Sequence, residues 1–486
     1  MNLSYLKSIV KRKEFINSVW NVADILIMPF LMLLFTPFFI KKIGPSEYGI
    51  WMFVNSIIAS IGIFNMGLGD AAIKFVSKYK SLNDTINLNR IVNSVFALSL
   101  ISLIVFIILG NCFAFLLKAY NFFNLDGADL LVTFFAIQLG SVVFGLKQVE
   151  QVLLSVFKGY EQYDSSAKIS ITSKLLLILS QVVIVYIGYF LTEIFVVSAI
   201  ISFVIVLFEI LFIKSKFKEI SFIPLIKKST LQEIFGFSSW SWIQSILGVI
   251  AGHIDRLFVI TLAGPIFLAY YALASNIGSQ VHSILTASVG WVFPKVSGKT
   301  ERNEEVNQLY YKMQLIVIIF GFVIFGALLS FENVIFKTWL GTETYNSSIL
   351  LIKIFLYLAF INSLSIIPYY FMLGSNLIKY STLFMFISLV LTIGFMILGY
   401  KFWDTMGLVY GKLLSSLISI PIMISFIHYK IIDKSKSING YKIYLPVILF
   451  AISIYMFNVF SIPVFVISII LMGYLFKKTF ENKKDY

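Results

Sequence analysis

The chain has 486 residues, of which 59% are apolar and 17% aromatic, and its mean hydropathy is +0.91. These values exceed what a soluble domain needs to fill its core, so the sequence predicts an integral membrane protein. The net charge of +14 is spread over many short connections rather than gathered in a basic domain, which argues against nucleic-acid binding. The single cysteine, Cys112, excludes an intramolecular disulfide and a cysteine-based metal site.

Fourteen apolar segments are long enough to cross a bilayer, which takes about 20 residues of helix. The expected spans are 19–40, 50–69, 91–117, 128–146, 169–190, 194–213, 235–263, 266–291, 313–330, 348–373, 381–400, 407–427, 443–460 and 462–476. The first is interrupted by Asp24, Pro29 and Pro37 and lacks a cleavage signal, so we expect a retained helix rather than a signal peptide. The sequence therefore predicts an all-α polytopic membrane protein with about 14 transmembrane helices.

The distribution of lysine and arginine orients these spans, because cations near span ends are retained on the cytoplasmic side. With the N-terminus inside, 29 of the 38 cations fall in cytoplasmic segments, five fall outside and four lie within spans. Both termini are therefore expected in the cytoplasm. The connections are too short for a further folded domain, although 221–237 is expected to form an interfacial helix leading into span seven.

An internal repeat is visible at an offset of 220 residues. Segment 35–57 then aligns with 255–277, and the Gly44-Pro45 pair coincides with Gly264-Pro265. Each pair is expected in an external turn between an odd and an even span. Six spans separate the copies, so the two halves would point the same way, as parallel repeats about an axis along the membrane normal.

Several kinds of chemistry are disfavoured by the motifs. The nucleotide-binding pattern GxxxxGK[ST] is absent, so an ATP-driven pump is not expected. His253, His282 and His428 do not have metal-ligand spacing with acidic partners, and no metal site is predicted.

Spans seven and eight each carry a polar stripe at helical spacing. The stripe of span seven contains Ser238, Ser241, Ser245, Gly248 and Gly252, and that of span eight contains Ser275, Asn276, Ser279, His282, Ser283 and Thr286. Small residues are the usual material of close helix packing, so the stripes fit either tight packing or a polar cavity. The sequence leaves both readings open.

Arg256 is the strongest candidate for a functional residue. An arginine near the centre of a span costs about 2.5–3.5 kcal/mol on insertion scales, so it normally faces water or a partner. Asp255 is adjacent in sequence but about 100° away around the helix, whereas His253 shares the face of Arg256 more closely. We favour a cavity-facing Arg256 over an ion pair that only fixes span seven to a neighbour.

Three further charged residues lie within or near spans. Lys353 and Lys412 are close enough to span ends for their ammonium groups to reach the interface, yet with Arg256 they would place three cations in the external half of the second repeat. Asp24, on one face with Asn17 and Asn21, is a candidate for binding H⁺ or Na⁺, or it lies at the cytoplasmic interface. The sequence does not separate these alternatives.

Three stretches of the chain resemble a known family, the polysaccharide transporters that include Wzx-type O-antigen and capsule flippases. They are FFIKKIGPSEYGIW with FNMGLGDAAIKFVSKY, then HIDRLFVITLAGPIFLAYYALASNI, and TWLGTETYNSSILLIKIF. The family belongs to the superfamily that also contains multidrug and toxin extrusion antiporters. The chain departs from the usual pattern at Ala269, where the family has Gly after the external turn, as Gly49 does in the first copy.

The resemblance implies two six-helix lobes at 1–213 and 214–430, followed by two transmembrane helices and a cytoplasmic tail at 431–486. It implies a flippase of the bacterial inner membrane, without a cofactor or enzymatic activity, that moves an undecaprenyl-diphosphate-linked oligosaccharide outward for lipopolysaccharide, O-antigen or capsule synthesis. Coupling to H⁺ or Na⁺ and partnership with the polymerase and chain-length machinery are expected. The residues offered for the cavity are Arg256, His253, Asp255, Ser245, Asn276, Ser279, His282, Lys353 and Lys412, with Asp24 for the ion.

Other functions remain open at the level of sequence. A cation-coupled drug antiporter would favour an acidic cavity, and a lipid II flippase is a close relative. A membrane glycan polymerase or ligase would be expected to carry a large external loop with catalytic groups, and the longest external loop here, 331–347, is short.

Overall fold

The computed structural model describes residues 13–61, 68–225, 228–302, 304–375 and 377–432, with residues 13–19, 21, 22, 25, 26, 61 and 228–245 described as helical backbone only. These ranges are helical with short connections and contain no strand. The helices are α1 (Lys13–Ile61), α2 (Leu68–Ser81), α3 (Thr85–Tyr120), α4 (Gly127–Gly159), α5 (Tyr163–Ile187), α6 (Leu191–Lys216), α7 (Lys228–Ser288), α8 (Val292–Glu301), α9 (Asn307–Ser330), α10 (Glu332–Leu340), α11 (Thr342–Ser363), α12 (Ile366–Gly374) and α13 (Ile378–Lys430).

The helices are apolar enough to span a membrane. Nine stretches of the described residues meet this criterion: Ile27–Ser60, Thr85–Tyr120, Gly127–Gly159, Tyr163–Ile187, Leu191–Lys216, Ile246–Ser288, Asn307–Ser330, Thr342–Gly374 and Ile378–Lys430. The prediction of an all-α polytopic membrane protein is confirmed. The expected spans 443–460 and 462–476 lie outside the described residues, as do the two ends of the chain, so the total of fourteen stays a prediction.

Three long helices change direction at non-helical residues. Helix α1 breaks at Gly44, α7 at Gly264, and α13 at Trp403 and Asp404. In α1 the Thr36 and Tyr48 hydroxyls are 3.2 Å apart although twelve residues separate them. A straight helix would place them about 18 Å apart, so the two legs of α1 fold against each other.

The Gly-Pro pairs aligned by the 220-residue offset have the same backbone conformation. Gly44 has φ 85° and ψ 158°, and Gly264 has φ 77° and ψ 175°. Glycine adopts these angles without the steric cost that a side chain imposes, and the following proline is suited to the first position of the next helix. Close by, a Cβ on Gly49 would overlap the carbonyl oxygen of Pro265. The two predicted turns therefore form, and the segment after the first packs against the second.

Contacts divide the chain into two compact units, Met1–Ala269 and Tyr270–Tyr486. The predicted lobes, 1–213 and 214–430, and the C-terminal region, 431–486, stay predictions. In the first unit α4 packs against α3 and α6, and α1 packs against α5. The outer faces carry large apolar side chains, among them Ile101, Ile104 and Ile108 of α3 and Phe208 of α6, while serine, glutamate and aspartate side chains lie inside. This distribution suits a lipid solvent.

The segment after α6 is fixed to α3 by side-chain amides. Asn89 Oδ1 accepts a hydrogen bond from the backbone N–H of Ser221 at 2.8 Å, and Asn93 Oδ1 accepts one from that of Ile223 at 3.0 Å. The Ser94 hydroxyl donates to the Leu225 carbonyl at 3.0 Å. Residues 221–225 are thus irregular, and helix begins at Lys228 and continues into the predicted span seven. Of the interfacial helix expected over 221–237, residues 221–225 are irregular and residues 228–237 are helical, and its position at the membrane interface stays a prediction.

In the second unit the two legs of α13 form a closed hairpin. A Cβ on Gly399 would overlap the Gly407 carbonyl, and a Cβ on Gly411 would overlap that of Phe395. Further along the legs, the Thr392 and Ser415 hydroxyls are 2.9 Å apart. Glycines therefore bring the backbones into contact, and hydroxyl groups hydrogen-bond each other between them.

Candidate functional site

The face of α7 that carries Arg256 is open among the described residues. Gly248, Gly252 and Arg256 are spaced four residues apart and share one helix face. A Cβ on Gly248 or on Gly252 would meet no described atom within 4 Å. Packing against the described residues therefore does not account for these two glycines, and Arg256 lies on the same helix face. The side chain of Ser245, the serine predicted for this face, lies outside the described residues.

Arg256 acts electrostatically on the buried Tyr48 hydroxyl of α1. The Tyr48 hydroxyl is within reach of the Arg256 charge and hydrogen-bonds the Thr36 hydroxyl. Tyr48 is fully buried and Thr36 is 2% exposed. The Thr36 hydroxyl donates to the Met32 carbonyl at 2.6 Å, so the two hydroxyls are satisfied within α1, and the guanidinium of Arg256 is the group that can offer hydrogen-bond donors to an anion. Sequence reasoning missed Tyr48 and Thr36, which are ordinary residues of an apolar helix until the Gly44 turn brings them together.

The neighbours of Arg256 in sequence have different surroundings. Asp255 is buried, and its Oδ1 accepts a hydrogen bond from the backbone N–H of Arg256 at 2.9 Å. His253 is partly buried, three residues before Arg256. The Asp255 carboxylate thus accepts a hydrogen bond from the backbone of its own helix, whereas the charge of Arg256 acts on Tyr48 of α1.

In the second unit, the polar stripe of α7 bonds mostly to its own helix. Ser279 is exposed and donates to the carbonyl of Asn276 at 2.9 Å, and Thr286 donates to that of His282 at 2.9 Å. The His282 ring hydrogen-bonds the main chain of Asn362 on α11. His282 therefore links α7 to α11, while the Ser279 hydroxyl remains at the surface of this unit.

Lys412 lies between two aromatic rings. Its Nζ is 5.7 Å from the ring centroid of Tyr271 and 5.6 Å from that of Phe355, and 3.4 Å from the Tyr271 hydroxyl. Both aromatic residues are buried. Cation–π contacts of this kind stabilise an ammonium away from bulk water. The lysine is thus held against buried aromatic rings of its unit, and whether it lies at the membrane interface stays a prediction.

Lys353 forms an ion pair. Its Nζ is 2.8 Å from Glu332 Oε1, which joins α11 to the start of α10. The pair is partly exposed, with side-chain exposures of 35% and 16%. The partner of this cavity candidate is therefore a carboxylate near a helix end, and Glu332 is a residue that the sequence did not single out.

Asp24 also has a cationic partner. Lys174 Nζ on α5 donates to Asp24 Oδ1 at 2.6 Å and to the Asp24 carbonyl at 2.7 Å. Asp24 is 7% exposed, so its carboxylate lies within the first unit, whereas the Lys174 side chain is 24% exposed. The sequence placed Lys174 within a span without a role, and 150 residues separate the two partners.

The predicted site residues are distributed over both units. The first contains Asp24, His253, Asp255 and Arg256, and the second contains Asn276, Ser279, His282, Lys353 and Lys412. Within the second, His282 contacts α11, which also carries Lys353 and the Phe355 ring beside Lys412. That all of these residues line one cavity stays a prediction.

The fold is that of known membrane transporters. The structure is similar to a lipid II flippase, MurJ, in an inward closed conformation, with a TM-score of 0.69, 14% identity, and coverage of 96% of this chain and 98% of that one. It is also similar to an inward-facing multidrug resistance MATE family transporter of the MOP superfamily, with a TM-score of 0.68, 13% identity, and coverage of 85% and 98%. A MOP superfamily transporter from Pyrococcus furiosus matches with a TM-score of 0.54, 13% identity, and coverage of 85% and 95%.

The sequence comparison gives the family. No curated protein matches the chain significantly. Residues 42–350 match the family described as polysaccharide biosynthesis protein. That match includes α2 to α10, both Gly-Pro turns and the HIDR stretch, and it covers more than half of the chain. The chain therefore belongs to the polysaccharide biosynthesis protein family, with the fold of the MOP-superfamily transporters.

Proposed function

We propose that the chain is a flippase that moves an undecaprenyl-diphosphate-linked oligosaccharide across the bacterial inner membrane for O-antigen, lipopolysaccharide or capsule synthesis. The family match over 42–350 carries the proposal, since it links the chain to polysaccharide synthesis while the fold is that of transporters. A similar fold in a protein named a lipid II flippase supports a lipid-linked substrate. Both termini would lie in the cytoplasm.

The substrate has a chemistry that the described residues suit. A diphosphate bearing a glycan cannot enter hydrocarbon without donors that replace its water. Arg256 supplies a forked cation on the open face of α7. Lys412, held between aromatic rings, supplies a second cation in the other unit. Binding and release need no bond to be broken, so we propose a transporter rather than an enzyme, working by alternating access.

The main alternative is a cation-coupled drug antiporter, which the likeness to a multidrug transporter favours. The two functions differ in the charge of the substrate. A cationic drug needs an acidic site, whereas Asp24, the acid predicted to bind an ion, and Glu332, the partner of Lys353, are each paired with a lysine. The cation Arg256 on the open face favours an anionic substrate. Drug sensitivity of a deletion strain, with normal surface polysaccharide, would support the antiporter.

The direct test is deletion of the gene. We expect surface polysaccharide to be lost and the lipid-linked oligosaccharide to accumulate on the cytoplasmic leaflet, detected by mass spectrometry and by protection from an external glycosidase. Accumulation of lipid II instead would identify the other flippase substrate. Normal surface polysaccharide with no accumulated intermediate would overturn the proposal.

Substitution of Arg256 tests the site. Arg256→Ala should abolish surface polysaccharide at an unchanged protein level, and Arg256→Lys should restore part of it, because lysine keeps the charge without the bidentate fork. The matched control is Arg302→Ala, whose side chain is 68% exposed and pairs with Glu304 at 3.0 Å outside the spans. Full activity of Arg256→Ala, or loss of the protein itself, would assign Arg256 a structural role.

A further inference from the structure

A second group of charged residues lies inside the first unit, between α4 and α6. It consists of Lys147 and Glu150 on α4 and Glu209 on α6. Glu209 has no exposed surface, and Glu150 is 4% exposed. Glutamate is almost never fully buried without a partner, so this group needs an explanation that packing does not supply.

Within the group, Lys147 bonds one glutamate and not the other. Lys147 Nζ donates to Glu150 Oε2 at 2.8 Å, one turn along the same helix. Neither carboxylate oxygen of Glu209 has a hydrogen-bond partner among the described residues. The charged groups that act on Glu209 are Glu150, which repels a negative charge there, and Lys147, which is already bonded to Glu150.

Among the described residues, the other helices packed against α6 give Glu209 no further counter-ion. On α5, Gln181 Nε2 donates to Ser198 at 2.9 Å, and the cation Lys174 is bonded to Asp24. On α1, Glu47 accepts from the backbone of Leu191 at the opposite end of α6. On α6 itself, the cations Lys214 and Lys216 are in the last turn and exposed.

The charges of the group balance only with one added positive charge. One ammonium and two carboxylates leave a surplus negative charge, and an uncompensated charge in such an interior is strongly destabilising. One proton on a carboxyl removes the surplus, as it does where two carboxylates share a site. A multivalent metal ion would require several oxygen ligands, and no group of three metal-ligating side chains occurs in the described residues.

We propose that Glu209, beside the Lys147–Glu150 pair, is a proton-binding site whose loading and release couple transport to a proton gradient. One proton from water joins a Glu209 carboxylate oxygen and is returned to water when α4 and α6 separate enough to hydrate the group. Glu209 is seven residues from the end of α6 at Lys216, a depth of about 10 Å. Asp24 needs no added proton, because the charge of Lys174 already balances its carboxylate. The coupling role rests on the proposed transport function, whereas the proton site does not.

Infrared spectroscopy of the purified chain in lipid nanodiscs tests the site without transport. At neutral pH we expect the carbonyl stretch of a protonated carboxylic acid, and Glu209→Gln should remove the equivalent of one such group. Glutamine matches the shape of the protonated acid and is expected to fold. The control Glu301→Gln changes an exposed glutamate and should leave the band unchanged.

A second variant keeps the test decisive if Glu209→Gln fails to accumulate. Lys147→Met removes the only cation of the group, so we expect the protonated band to double as Glu150 also takes a proton. An unchanged band in Lys147→Met, or in Glu209→Gln, overturns the proposal. Loss of the wild-type band on adding Na⁺ also overturns it, since the site would then take a metal cation.

Transport in inverted vesicles separates the site from the proposed function. Wild-type export should accelerate with an imposed pH gradient, and Glu209→Gln should lose that acceleration. If the band behaves as expected but the wild-type chain exports no lipid-linked oligosaccharide, the proposed substrate fails while the proton site stands. If export by Glu209→Gln still responds to the gradient, the coupling role is refuted.

Discussion

Removing Lys174 should destabilise the chain because it leaves a carboxylate inside the first unit without its counter-ion. Lys174 donates to Asp24 Oδ1 at 2.6 Å and to its carbonyl at 2.7 Å. Breaking a buried pair costs about 3–5 kcal/mol. The side chains retain 24% and 11% exposure, so screening reduces this and we expect about 2–3 kcal/mol for Lys174→Met.

The pair predicts an asymmetric double-mutant cycle. Asp24→Asn should cost less than Lys174→Met, because Lys174 keeps the carbonyl of residue 24 as an acceptor and its stem reaches toward water. The double variant should recover most of the loss from Lys174→Met. Lys168→Met is the matched control, because Lys168 is on the same helix and pairs with the exposed Asp164 at 3.6 Å. It should change the free energy of unfolding by less than about 1 kcal/mol.

The assay is denaturant unfolding in detergent micelles, followed by tryptophan fluorescence, for the four members of the cycle and the control. Additive losses would show that the two groups do not interact, and a Lys174→Met variant as stable as the wild type would refute the reasoning about burial. We also expect the double variant to retain export of polysaccharide, since a balanced ion pair needs no transported proton. Loss of export in a stable double variant would instead support Asp24 as a binding site for H⁺ or Na⁺.

Three further predictions concern the backbone and the topology. Gly49→Ala should lower the unfolding free energy by about 1–3 kcal/mol, because the added Cβ would overlap the Pro265 carbonyl. The control Gly298→Ala should leave it unchanged, because a Cβ there meets nothing within 4 Å. Equal stabilities of the two variants would contradict the close contact between Gly49 and Pro265. Asp404→Gly should raise the unfolding free energy by about 1 kcal/mol, since residue 404 has φ 48° and ψ −139°, a region that favours glycine. A less stable variant would show that the Asp404 side chain makes a stabilising contact that outweighs the backbone strain. Reporter fusions after Lys401 should read as external and those after Lys434 as cytoplasmic, and the reverse would refute the orientation derived from charge.

The sequence was sufficient for the helices and their breaks, because each depends on local chemistry. Apolar runs of about 20 residues and glycine-proline pairs are visible in one dimension, and the turns at Gly44 and Gly264 form as expected. The predicted ends of the helices were less accurate than the positions of these turns. Helix α3 covers Thr85–Tyr120 where hydropathy indicated 91–117, because the polar ends of a spanning helix continue beyond the hydrocarbon.

Partners between helices could not be predicted in the same way. Lys174 is 150 residues from Asp24, and the Tyr48 hydroxyl reaches the field of Arg256 only because two turns bring distant segments together. Glu209 is one carboxyl in an apolar run, and its significance depends on Glu150 and on the bond that occupies Lys147. The sequence identified charged residues inside spans, whereas the pairing of each charge with an opposite charge depends on how the helices pack against each other.

The closed hairpin of α13 has a consequence for biosynthesis. Its hydroxyls, such as Thr392 and Ser415, bond each other between the legs, while Leu383, Phe386 and Val390 on one leg and Leu417 on the other are exposed. A nascent chain that folds this hairpin at the translocon exit can enter lipid as one unit, with its polar groups already satisfied and its apolar side chains outward. A leg inserted alone would expose hydroxyls and glycine backbone to lipid tails. Export of the two legs from the ribosome in close succession would then matter for the yield of correctly inserted protein.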